Sequence, residues 1–224
     1  MPTVPLKVIH SDIHYRGQFN KTSFAFAPSV LPIFERFLTS FSVFGTSLGE
    51  LRLEGGAGLP DLHLFCGLPK IGSVIRLYLN RVEMDFNRAN QIGRETAIEV
   101  ARRAWDIIHQ VDTSIGFDRH EVTYDNHSVF VSGALKDFLD NFIRFPAVFN
   151  DKASGTVAFT FDGGIFGDDV LGGRVILERS VRPQAELFTK IDVRLNGSLE
   201  LERIGDRAIS FVSTMYEHLG ARLE

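Results

Sequence analysis

Histidines with acidic neighbours are the residues of this chain whose types best suit chemistry, so their spacing is weighed first. His10 and His14 stand four apart in a segment, Lys7 to Tyr15, that reads as a strand. That spacing puts both on one face but about 13 Å apart, too far to share a metal ion. Asp118, His120, Asp125 and His127 surround what reads as a hairpin turned by Asp125-Asn126. Such a turn sets Tyr124 against His127 and leaves His120 several positions away. The ligand types suit zinc, but the spacing does not. These residues are expected on solvated turns, and no metal is expected.

The other chemical motifs are weaker still. Gly55-Gly56-Ala57-Gly58 and Gly163-Gly164-Ile165-Phe166-Gly167 each run into another strand. A phosphate cradle wants a helix N-terminus after such a loop. Tight-turn geometry is the expectation, because glycine supplies the positive φ that hairpins need. No serine stands in a strand-to-helix elbow, and no serine, histidine and acid fall in a recognisable order. Cys66 is the sole cysteine, so no intrachain disulfide forms, and its apolar neighbours suggest a buried structural thiol. No catalytic residue and no cofactor is assigned.

Phenylalanine is the unusual component, supplying 20 of 25 aromatic residues. It has no polar handle and suits dry packing. One Phe-rich stretch continues a helix through Phe142, Phe145 and Phe149, with Pro146 between them. An aromatic connector of this kind is the candidate partner-binding segment, although its match to the Phe41-Val43-Phe44 tail of the first helix favours closing an end of the core.

The elements that would hold these residues follow from periodicity. Four segments carry the helical repeat. The first starts at Ser29 with Leu31, Phe34, Phe37/Leu38 and Phe41. The second covers about 94 to 111, with Ala97, Ala101, Ala104, Ile108 and Val111 in a stripe and Trp105 beside it. The third follows Ser132 with Leu135, Phe138/Leu139 and Phe142. The fourth covers about 201 to 223, with Leu201, Ile204, Ala208, Phe211/Val212, Met215, Leu219 and Leu223. Between them the repeat falls to two: Val82, Met84, Phe86; Ile191, Val193, Leu195; Val157, Phe159, Phe161. Each reads as a strand with one face in the core.

The halves can be laid over each other. Leu31 and Phe34 fall on Leu135 and Phe138. Leu51 to Gly56 fall on Phe159 to Gly164, Val82 to Asn87 on Ile191 to Asn196, and Ala97 to Ile108 on Ala208 to Leu219. The expected fold is α+β: two diverged copies of a hairpin-helix-three-strand-helix unit, residues 1–115 and 116–224. Its antiparallel sheet should carry helices packed on one face.

Composition excludes several function classes. With 24 basic against 28 acidic residues, a net charge of −4 and the signs interleaved, the chain has no Lys/Arg cluster for a phosphate backbone. No stretch approaches the ~18 apolar residues of a membrane span, and the start lacks a secretion signal. A cytoplasmic setting is expected, with no nucleic acid and no membrane. The leading expectation is a non-enzymatic protein-protein interaction or assembly subunit, an inhibitor or immunity-type partner, acting on a protein partner or as a homo-oligomer. The alternatives are a small-molecule-binding or sensing module with an apolar groove between the copies, and an enzyme of unassigned reaction drawing on His14, His120 and His127.

Overall fold

The computed structural model describes residues 3–56, 58–142, 155–164 and 166–224. Among the described residues there are ten strands: β1 (Val4–Phe19), β2 (Leu51–Glu54), β3 (His63–Leu68), β4 (Ser73–Tyr78), β5 (Arg81–Phe86), β6 (Phe117–Phe130), β7 (Val157–Gly164), β8 (Gly167–Arg179), β9 (Leu187–Asn196) and β10 (Ala221–Leu223). The helices are α1 (Val30–Phe41), α2 (Ala89–Ile92), α3 (Arg94–Val111), α4 (Leu135–Leu139) and α5 (Leu201–His218). The strands hydrogen-bond in the order β2-β3-β4-β5-β1-β6-β9-β8-β7, with β10 added parallel to the start of β1. The α+β class and the antiparallel sheet expected from one-sided alternation are therefore present.

Two expected hairpins are instead single long strands. β1 runs sixteen residues, and β6 runs fourteen straight through Asp125 and Asn126. Asp-Asn without a following glycine is a weak turn former, and β6 keeps its ladder instead. The first half also has four strands where three were expected. Counting outward from β1 gives β5, β4, β3, β2; outward from β6 gives β9, β8, β7. β7 thus occupies the third place, not the fourth that matching Leu51–Gly56 to Phe159–Gly164 requires.

The chain forms two compact units. One comprises residues 12–122 and 194–205; the other comprises 1–11, 123–193 and 206–224. β1, β6, β9 and α5 contribute residues to both.

In the 12–122 unit the register sorts side chains into two kinds of row. Cys66, Ile75, Met84 and Tyr15 lie opposite one another across four strands, as do Leu64, Leu77, Val82 and Gly17. All of these are buried. Alternate residues form the polar rows, because successive side chains point to opposite faces. α1 buries Ile33, Phe37 and Phe41, while Leu31 is 77% exposed. Of the expected stripe, Phe37 and Phe41 are buried as expected, while Leu31 faces solvent and Ile33 takes its place. α3 buries Val100, Ala104, Ile107 and Ile108, and leaves Ala97, Ala101, Val111 and Trp105 half-buried. Trp105 stacks on His109 and Phe117 rather than entering the core.

In the other unit β9 buries Leu187, Thr189, Ile191 and Val193, and α5 buries Ala208, Phe211, Val212, Met215 and Tyr216. The fourth helical stripe is as expected up to His218, where the helix stops. Leu223, expected to extend it, lies in β10. Phe161, Phe166 and Phe211 form one ring cluster, and Phe130, Phe138, Phe142 and Phe159 a second. The β7–β8 turn is made by Gly164 and Gly167, both at positive φ, which agrees with the turn reading of that glycine stretch.

Candidate functional site

The polar rows of the 12–122 unit gather side chains from five strands. Arg52, Phe65, Arg76, Glu83 and Arg16 lie opposite one another on β2, β3, β4, β5 and β1. The neighbouring row holds Glu54, His63 and Tyr78, followed by Arg81 and Gln18. Two aromatic stacks are built into this face. The Arg52 guanidinium lies 4.3 Å from the Phe65 ring centre, with Arg76 on the same ring at 6.0 Å. Arg81 lies 3.5 Å over Tyr78, whose ring also stacks on His63 at 4.6 Å. Each such cation–π contact is worth about 0.5–2 kcal/mol and fixes the arginine's direction. Carboxylates alternate with them: Arg81 donates to Glu83 at 2.7 Å, Arg52 pairs with Glu54 at 3.0 Å, and Arg119 donates to Glu121 at 2.9 Å.

His14 joins this face. Its Nδ1 is 2.8 Å from Asp85 Oδ1, and Arg76 pairs with the other carboxylate oxygen. Burial pushes the Asp85 carboxyl up, but hydrogen bonds from His14 and Arg76 outweigh it and hold the group below the usual carboxylate range.

His120 occupies the opposite, apolar face. It is fully buried, not solvated, because an unbroken β6 carries it inward beneath Phe117 and Tyr15. Tyr15 Oη lies 3.0 Å from Nδ1 and, with its own ionisation pushed up by burial, serves as donor. That leaves the proton on Nε2, which faces the carbonyls of Gly197 and Leu199 without closing a well-shaped hydrogen bond. Burial lowers the imidazole from the ordinary 6.5 to about 4, so it is neutral at physiological pH. Its place is structural, and a neutral core histidine is no proton carrier near pH 7.

The other unit holds His10 and His127. Their rings meet edge to face at 5.8 Å. His127 Nδ1 is 2.8 Å from Ser180 Oγ, Arg182 Nη2 is 2.8 Å from His10 Nε2, and the Arg182 amide donates to Ser180 Oγ at 3.0 Å. His127 is buried against Phe188 rather than placed on a turn. Asn126, expected at the turn tip, is buried too; its Nδ2 donates to Tyr216 Oη at 3.2 Å. This group could orient an anion or pass a proton, but it does not collect the three expected histidines. His14 and His120 sit on opposite faces of the first unit, and His127 belongs to the second. Among the described residues no group of three or more His, Cys, Asp or Glu is placed to hold a metal ion.

Of the expected partner-binding residues, Phe142 is half-buried between Phe138 and Phe159. Phe145 and Phe149 lie outside the described residues. A cleft of about 490 Å³ between α1 and α3 is lined by polar side chains, among them Glu35, Arg36, Thr39, Arg103, Asp106 and Gln110, with no phenylalanine. Sequence reading missed the stacked face entirely, since its residues come from five separate segments.

Cys66 is buried, and burial pushes its thiol up to about 12, against a contact from Thr46 that lowers it. At pH 8 the thiolate fraction is then on the order of one part in ten thousand. Ellman's reagent is expected to leave the native protein unlabelled over an hour and to titrate one thiol in guanidinium. Rapid labelling of the native chain would contradict this burial.

No family model matches the chain, and no curated protein matches it. Among solved structures, one similar chain belongs to the crystal structure of A. aeolicus tRNASec in complex with M. kandleri SerRS. The likeness has 12% identity and a TM-score of 0.35, and covers 96% of this chain and 31% of that one. This chain thus spans about a third of that chain's length, and a likeness so slight carries no argument. No helix among the described residues is long and apolar enough to cross a membrane.

Proposed function

We propose that this chain is a non-enzymatic protein-binding or assembly subunit whose working surface is the arginine-aromatic face of the 12–122 unit. The observation that carries this reading is the pair of stacks, Arg52 on Phe65 and Arg81 on Tyr78. Arginine is enriched at interface hot spots, and an arginine already held over a ring loses little freedom on binding. Alternating carboxylates leave the face without the one-signed field that nucleic acid needs, so a protein surface of mixed charge is the fitting partner. The Phe142, Phe145 and Phe149 connector is a second partner-binding candidate. In this reading the helices pack on one side of the sheet, the setting is cytoplasmic, and residues 1–115 and 116–224 are diverged copies. The strand orders counted outward from β1 and β6 support the duplication, with β2 as an addition in the first copy.

The test is quantitative affinity purification from the source cells, comparing wild type with Arg52→Ala/Arg81→Ala and with Arg102→Ala, an exposed α3 control. A stoichiometric protein partner is expected with wild type and the control, and at least tenfold less with the double variant, since hot-spot arginines cost about 2 kcal/mol or more. Equal recovery by the double variant, or no stoichiometric partner for wild type, would overturn the proposal.

A further inference from the structure

The two outer strands of the sheet differ in how they guard their free backbone. β2 is four residues long and carries Arg52 and Glu54. Short length and charge are the usual protections of an edge. β7 has eight residues, pairs with β8 on one side, and has no strand on the other among the described residues. Its stretch Val157-Ala158-Phe159-Thr160-Phe161 has no charge, no proline and a high content of β-branched and aromatic residues. Ala158 and Thr160 are exposed, and Phe159 is 40% exposed beside Phe142. An uncharged edge of this length is a template for strand addition.

The stretch is also complementary to itself. Turned antiparallel about Phe159, it sets Phe159 against Phe159, Ala158 against Thr160, and Val157 against Phe161. Those are the aromatic and β-branched cross-strand pairs that favour a ladder. We infer that β7 is a dimerisation strand that takes β7 of a second copy of this chain, antiparallel and centred on Phe159. A five-residue ladder is only about 17 Å long. It buries less than a standard interface of about 1,600 Å², so the dimer is expected to form in the micromolar range. The inference concerns the 1–11, 123–193 and 206–224 unit and is independent of the stacked face; its failure would leave the partner-binding reading standing.

The register makes the test specific, using the full chain. Phe159→Cys is expected to crosslink to itself on mild oxidation, since residues opposite each other on an antiparallel pair lie within disulfide reach. Ala158→Cys and Thr160→Cys should each give no covalent dimer alone and crosslink to each other when mixed. Cys66 is buried and does not contribute. By sedimentation velocity, wild type should dimerise at tens of micromolar, and Ala158→Lys/Thr160→Lys should raise Kd about tenfold or more by setting lysine opposite lysine. A wild type that stays monomeric to ~100 μM, or a Lys variant that dimerises as well as wild type, would overturn the inference. So would a self-crosslink of Ala158→Cys with no disulfide between the Ala158→Cys and Thr160→Cys chains in the mixture.

Discussion

Between pH 6.5 and 4 the fold is expected to lose about 3 kcal/mol of stability through one side chain, His120. The unfolded chain takes up a proton on this imidazole near 6.5, whereas the folded chain takes it up near 4, because the ring is buried against Phe117 and Tyr15. Above 6.5 both states are neutral there and the full stability is present. As the pH falls the unfolded state binds the proton first, so stability drops until about 4 and then levels off. Moving the ionisation by that span is worth about 3 kcal/mol, a large part of a typical stability of 5–15. Urea unfolding at several pH values, for wild type and His120→Gln, measures it. The variant is expected to be less stable at pH 7 by about 1–3 kcal/mol, having lost ring packing and the Tyr15 bond, and to lack this part of the acid slope. An acid slope as steep in the variant as in wild type would show that other groups carry it.

Phe37→Ala is expected to cost about 3–5 kcal/mol, and Leu31→Ala less than about 0.5. Phe37 is fully buried in α1 and packs edge to face on Phe41 at 5.7 Å, while Leu31 is 77% exposed. For a chain of this size the first change should lower Tm by about 10 °C. Thermal unfolding of both variants checks which stripe of α1 faces the core. Equal losses would mean that both stripes are covered in solution.

The same helix shows where sequence reading stops. α1 carries two apolar stripes that both satisfy the helical period: Leu31, Phe34, Leu38 and Phe41, and Ile33, Phe37 and Phe41. Periodicity finds the helix, but only the layer it packs on chooses between the stripes. α5 had one stripe to offer, and that stripe is the buried one.

Local signals also lost to pairing in β6. Asp125-Asn126 has the composition of a turn, yet the strand continues, and Tyr216 receives the Asn126 amide from 90 positions away. A partner so distant in sequence leaves no mark on the local pattern. The histidines followed: once β6 is continuous, alternation sends His120 inward and His127 to the other face.

The sequence determined by itself several features that rest on short repeats, though not the buried stripe of α1 or the core face of β7, where Phe159 is 40% exposed. The α+β class, the buried sides of β5 and β9, the start of α1 and the inert thiol all follow from neighbours within a few residues. The tertiary structure decided the order of the strands, and with it the rows across them. Arg52, Phe65, Arg76, Glu83 and Arg16 become neighbours through cross-strand register. That register is fixed jointly by five segments burying their alternate residues, so no spacing along the chain could express it.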